Sequence, residues 1–203
     1  MLMMNHALAK HLGIAVPMMC AVLLVGCTGS WSLRENQAGE NARTDARAHR
    51  LLVPFFPDDT DQCGPATLAS VMSFWGVPTN PQLLKEQVYL PKLKGSLSID
   101  MLLAAQAHGL HAESLRGSLE GVKAELEAGH PLLAFLNLGY EFFPQGHYVV
   151  ITGYDDARQG VYVHSGLDRD EFLPYPRFLR SWDKTGRWTL KILPANDSSK
   201  VPS

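Results

Sequence analysis

Two short blocks of this 203-residue chain carry side chains able to do covalent chemistry, and they lie far apart in the sequence. The first is Gln62-Cys63-Gly64-Pro65-Ala66, with the polar stretch Asp58 to Gln62 ahead of it. Behind it, Leu68, Val71, Met72 and Trp75 recur at helical spacing. A cysteine at the start of a helix faces unpaired backbone N–H groups and the positive end of the helix dipole, which stabilise its nucleophilic thiolate. The placement therefore predicts a depressed thiol pKa. Gly64 leaves room for a substrate backbone to approach the sulfur. The second block is Gly146-His147-Tyr148-Val149-Val150-Ile151-Thr152-Gly153-Tyr154. It is rich in β-branched and aromatic residues and reads as a strand with His147 at its head. An imidazole there can accept the thiol proton and later deliver one to a leaving amine. Cysteine and histidine together predict acyl transfer through a covalent thioester.

The elements that must position them follow from the hydrophobic period. Leu51 to Pro57 is apolar and extended, with prolines that forbid a helix. Cys63 to Trp75 is a helix stopped by Gly76 and Pro78. Pro81 to Tyr89 is a second helix with Asn80 as its cap, and proline at the first helical position. Ser98 to His108 and Ser118 to Ala128 end at Gly109 and Gly129. The period then changes, and Pro131 to Leu138, His147 to Tyr154, Val161 to His164 and Trp188 to Leu193 read as strands. A short helix falls within Pro174 to Trp182, and Asp155-Asp156 makes a hairpin turn. Helices first and strands last predict an α+β fold, an antiparallel sheet packed against a helical half. The aromatic group Phe74, Trp75, Tyr140, Phe142 and Phe143 is assigned to core and cleft wall.

The two ends read differently. Lys10 and His11 precede an apolar run from Leu12 to Gly26, the length of a signal-peptide core and short for a permanent span. It closes on Leu24-Val25-Gly26-Cys27, which resembles the lipobox of bacterial lipoproteins. That resemblance implies cleavage before Cys27, lipidation of its sulfur and a membrane anchor. With Thr28 rather than aspartate next, analogy with enteric bacteria places it in the outer membrane facing the periplasm. Residues 28–50 form a polar tether and 195–203 a disordered tail, leaving 51–194 as one folded domain.

Net charge −2 gives no reason to expect nucleic acid. The three cysteines are Cys20, Cys27 and Cys63, so neither a disulfide framework nor a zinc ribbon is spelled out. His49, His108, His111 and His130 show no ligand spacing and are assigned to surface or loops. His164 reads as a strand-end or pocket residue. A zinc site from Cys63, His147 and His164 lacks the close paired ligands such sites use.

Taken together, Val53-Pro54-Phe55-Phe56, Gln62-Cys63-Gly64-Pro65-Ala66-Thr67-Leu68-Ala69 and the Gly146 to Tyr154 block resemble the C39 peptidase family, over Leu51 to about Leu193. That family includes bacteriocin-leader peptidases and stand-alone secreted relatives. The resemblance implies a papain-like fold, no cofactor or metal, and hydrolysis of peptide bonds, often after a double glycine. It makes Cys63 the nucleophile and His147 the general base. Two positions depart from the family pattern. The glutamine that helps hold the oxyanion, five or six residues before the cysteine, is replaced by Asp58 or Pro57, and an ionised aspartate cannot donate. Gln62 and the Cys63 backbone N–H are the candidate replacements, one such donor being worth about 2.7–4 kcal/mol in kcat. The aspartate after the next strand is replaced by Ser165, just past His164; Asp155, Asp156 and Asp168 are other candidates to serve the histidine.

The sequence thus predicts an envelope-anchored cysteine peptidase acting on a peptide or protein, with room for a transporter or other envelope partner. The competing readings are a peptide-binding module that has lost catalysis and another thiol acyl-transfer enzyme, such as an amidase or transglutaminase. No nucleotide-binding motif accompanies the domain.

Overall fold

The computed structural model describes residues 48–140 and 142–196, all within the unit Asn41–Ser203. The segment expected to be a signal peptide, Cys27, the expected tether up to residue 47 and the residues beyond 196 lie outside the described residues.

The element that carries Cys63 is buried on every side. Helix α1 (Cys63–Phe74) sinks Gly64 to Met72 without interruption, which its small and apolar residues allow. Its two buried hydroxyls are satisfied locally. Thr67 Oγ1 donates to the Cys63 carbonyl at 2.7 Å and Ser70 Oγ to that of Ala66 at 2.9 Å. The helix stops at Gly76, whose φ of +77° lets Val77 N–H turn back to the Met72 carbonyl at 3.0 Å. Helix α2 (Pro81–Val88) starts where Asn80 Oδ1 accepts from Leu83 N–H at 3.0 Å. Helices α3 (Ser98–Ala107), α4 (Leu119–Glu127) and α5 (Tyr175–Asp183) follow, α4 capped by the Ser118 hydroxyl.

Seven strands make one antiparallel sheet: β1 (Ala48–Arg50), β4 (Leu110–Arg116), β5 (Leu132–Asn137), β6 (Gly146–Asp155), β7 (Gly160–Ser165), β8 (Asp168–Pro174) and β9 (Trp188–Pro194). Their order is β4-β9-β5-β6-β7-β8, with β1 also on β6. A separate hairpin, β2 (Tyr89–Leu90) and β3 (Gly95–Ser96), lies between α2 and α3. Alternation along β5 and β6 divides the core. Leu133, Tyr148 and Val150 pack with Leu68, Met72 and Met101 of the first helices. Leu132, Ala134, Leu136, Val149 and Ile151 pack with Leu126, Phe178 and Trp182 of α4 and α5. The expected helical half is therefore α1 to α3, and two later helices close the other face. Phe178 and Trp182 are wholly buried, each contributing about 1.5–3 kcal/mol by leaving water.

The structure departs from the sequence reading in several places. Ala48–Arg50, assigned to the tether, is a strand paired with Gly153–Asp155 of β6. Gly153 admits it, because a Cβ there would lie 2.3 Å from the His49 carbonyl oxygen. His49 is accordingly no loose surface residue: its Nε2 lies 2.6 Å from the Leu126 carbonyl oxygen and its ring stacks on Tyr154. His130 pairs with Glu125 at 2.8 Å. Tyr140, Phe142 and Phe143 are not core; on the β5–β6 connection they are 82, 86 and 79% exposed.

Candidate active site

Cys63 is the first residue of α1, half-buried and free of any disulfide. Burial pushes its thiol pKa up, and the Asp58 carboxylate adds to the rise. The Tyr148, Gly64 and Cys63 backbone N–H groups pull it down without winning. The expected depression of this pKa is therefore corrected. The helix-start N–H groups are present, but withdrawal from water outweighs them, and the resting sulfur is a thiol.

His147 stands at the open end of β6, opposite Leu136 of β5. Its Nε2 lies 3.1 Å from Ser165 Oγ, at the end of β7. Pairing of Val150 with His164 holds β7 in register, and an irregularity between Val163 and Ser165 re-aims its last residue. Burial lowers the His147 pKa, while the nearby Asp58 charge opposes that fall. The resting imidazole is neutral at physiological pH. Cys63 and His147 line one cleft of about 490 Å³, with Thr60, Ser96, Phe135 and Gln145 around them. Cys63 also lines an adjoining recess shared with Asp58, Ser165 and Gly166. Among the described residues no hydrogen bond joins the thiol to the imidazole. Such contacts are often long in a resting enzyme and tighten with substrate.

A sequence model of the Peptidase_C39 like family matches residues 48–189. The chain belongs to that family. No curated protein matches the sequence. Among solved structures, the chain is similar to a double-glycine-motif protease from an AMS/PCAT transporter, in complex with the leader peptide. The two are 25% identical with a TM-score of 0.58, over 72% of this chain and 94% of that one. A C39-like peptidase from Bacillus anthracis (18% identity, TM-score 0.56, 71% and 96% covered) shares the fold. So does the peptidase domain of Streptococcus ComA, a bifunctional ABC transporter of a quorum-sensing pathway (21%, 0.56, 72% and 98%). The papain-like α+β fold expected from the sequence is the one observed.

Against this C39-like frame, the remaining candidates sort by what they touch. Gln62 donates its side-chain amide to Thr60 Oγ1 at 3.1 Å and lines neither hollow. Asp155 accepts from Arg158 N–H, and Asp156 pairs with Lys123 and Tyr175, both at the far end of β6. Asp168 is exposed, across from Ser165 in the β7–β8 register. Of these, Ser165 is the one that reaches His147. Buried His164 has both nitrogens committed: Nε2 donates to the Val53 carbonyl at 3.0 Å and Nδ1 accepts from Asp170 N–H at 3.2 Å. It has no lone pair to spare for zinc.

Two residues stand at the site in ways the sequence did not show: Asp58, read there only as a lost donor, and Ser96, not singled out at all. Asp58 Oδ1 accepts from the Thr60 hydroxyl at 2.6 Å, and Asp58 N–H donates to the Gly166 carbonyl at 3.0 Å. Its Oδ2 is buried without a partner, as is Ser96 Oγ. Ser96 explains Gly64, where a Cβ would meet that hydroxyl oxygen at 2.4 Å. Neither signals itself locally, since each is placed by a segment distant in sequence.

Proposed function

We propose that the chain is a cysteine peptidase of the cell envelope, with Cys63 as nucleophile and His147 as general base. The observation that carries this reading is the shared cleft, with a thiol at a helix start and a histidine whose Nε2 is held by a hydroxyl. The imidazole takes the proton from Cys63 Sγ as the sulfur adds to the scissile carbonyl carbon. The Cys63 and Gly64 backbone N–H groups are the donors available to the oxyanion, because neither Asp58 nor Gln62 supplies one. Protonated His147 then gives its proton to the departing amine, leaving a thioester. A water molecule deprotonated by the same ring attacks that thioester, releasing the acid and restoring the thiol. The substrate is a peptide or protein, the class to which the leader peptide of the transporter protease belongs. A partnered transporter is compatible with this role. Lipidation at Cys27, read from the lipobox, supplies the anchor in the membrane.

The test is cleavage of a peptide library by the purified protein, with products read by mass spectrometry. Cleavage lost in both Cys63→Ala and His147→Ala supports the reading; cleavage that survives Cys63→Ala removes it. A second reading, a peptide-binding module without turnover, draws on the thiol being held in its protonated form. It requires peptide binding with no product from any member of the library.

A further inference from the structure

We propose that Asp58 is the carboxylate of this site, stabilising the protonated His147 ring while Ser165 sets the ring's direction. The inference rests on the peptidase reading for its consequence in turnover, but not for its geometry. A serine hydroxyl can orient an imidazole, yet it carries no charge to balance the imidazolium formed when Cys63 attacks. A nearby carboxylate would balance that charge, and four others close in sequence to the site residues are paired or exposed. Asp170 is paired with Arg50 at 2.8 Å, Asp61 hydrogen bonds to Tyr89, and Asp59 and Asp168 are exposed.

Asp58 differs from all of these. Its backbone is pinned to Gly166, the residue after Ser165, and Gly166 makes that turn with φ +58°. Its side chain shares the recess with Cys63 and Ser165. One oxygen is fixed by Thr60, while the other is out of solvent with no hydrogen-bond partner. A buried oxygen left unpaired is costly unless a charge comes to it, and the positive charge that appears here is the imidazolium. The negative charge of Asp58 is also felt by the sulfur, where it opposes the thiolate. Asp58 therefore keeps the proton on Sγ at rest and favours the charged ring once that proton has passed to His147. It lowers the barrier only as the proton passes from Sγ to the ring. It acts through His147 and is a positioning residue.

The experiment follows the His147 ring by NMR titration in the full-length protein, assigned with His147→Gln, and measures kcat/KM beside it. Asp58→Asn should lower the His147 midpoint, shift the pH profile with it, and cut kcat/KM about tenfold to a hundredfold. Ser165→Ala should leave the midpoint closer to wild type. Asp58→Asn combined with Ser165→Asp should recover both, and that double variant and Asp58→Glu guard against a simple folding defect. An unmoved His147 midpoint in Asp58→Asn overturns the inference. So does a rise in kcat/KM in Asp58→Gln, which would make the position an oxyanion donor site. A midpoint that shifts while wild type cleaves no peptide refutes the peptidase reading and leaves the Asp58–His147 coupling standing.

Discussion

His147 Nε2 lies 3.1 Å from the Ser165 hydroxyl, which makes Nδ1 the ring nitrogen left for the thiol of Cys63. One neutral hydrogen bond of this kind is worth about 0.5–1.5 kcal/mol. Ser165→Ala should therefore lower kcat about threefold to tenfold with little change in KM, since the bond acts on the ring and not on bound substrate. Steady-state kinetics on any cleaved peptide checks the split. A loss confined to KM would mean that Ser165 contacts substrate instead.

The burial of Cys63 has a consequence for its reactivity. Because its pKa lies above the ordinary thiol value, alkylation should be slow at pH 7 and rise only beyond the usual range near 8.5. With Cys20 and Cys27 changed to Ser, Cys63 is the sole thiol, so iodoacetamide labelling against pH reads it directly. Rapid labelling at pH 6 would instead reveal a thiolate–imidazolium pair at rest.

Strand β1 depends on a missing side chain. Gly153→Ala would set a Cβ 2.3 Å from the His49 carbonyl oxygen, against backbone that cannot swing aside. We expect a loss of about 1–3 kcal/mol, the usual cost of overpacking. Hydrogen exchange should show the loss of protection concentrated in Ala48–Arg50. Unchanged stability would mean that β1 contributes little to the domain.

Much of this architecture was legible in the chain. Gly76, Pro78, Asn80 and Pro81 punctuate the first two helices, and the β-branched runs mark β5, β6, β7 and β9, because these signals act over a few residues. Strands β4 and β8 were not legible. Leu110–Arg116 and Asp168–Pro174 are mostly polar or charged and occupy the two ends of the sheet order, where the partner strand rather than composition decides the conformation. The same distinction holds at the site. Cys63, His147 and Ser165 could be read from two sequence blocks and the strand that follows. Asp58 looked like a lost donor, because its meeting with Gly166 is made by folding alone. The thiol pKa was misjudged for a related reason: the sequence shows the helix start but not how deeply it is buried.

His164 gives the fold a dependence on pH. Burial lowers its pKa, so the folded protein holds it neutral while the unfolded chain protonates near 6.5. The stability it contributes is complete above that value and declines as pH falls toward the lower folded pKa. His147 carries a shift of the same sign. Thermal melts should therefore show Tm falling from pH 7 to pH 5, and falling less steeply in His164→Gln. That variant should also lose about 1–3 kcal/mol at pH 7, since glutamine cannot both donate to Val53 and accept from Asp170 in the same geometry. An identical slope in the two proteins would exclude His164 as the source.

The antiparallel pairing of β1 with the Asp155 end of β6 also settles where load and cargo can be attached. Ala48 sits beside Asp155, eight residues along the strand from His147, or roughly 25 Å at the usual rise per residue. A carrier, dye or surface linkage joined ahead of Ala48 therefore meets the domain at the opposite pole from the cleft mouth. Immobilisation through that end leaves the cleft accessible. Attachment on the β5–β6 connection beside Gln145 would stand in its doorway.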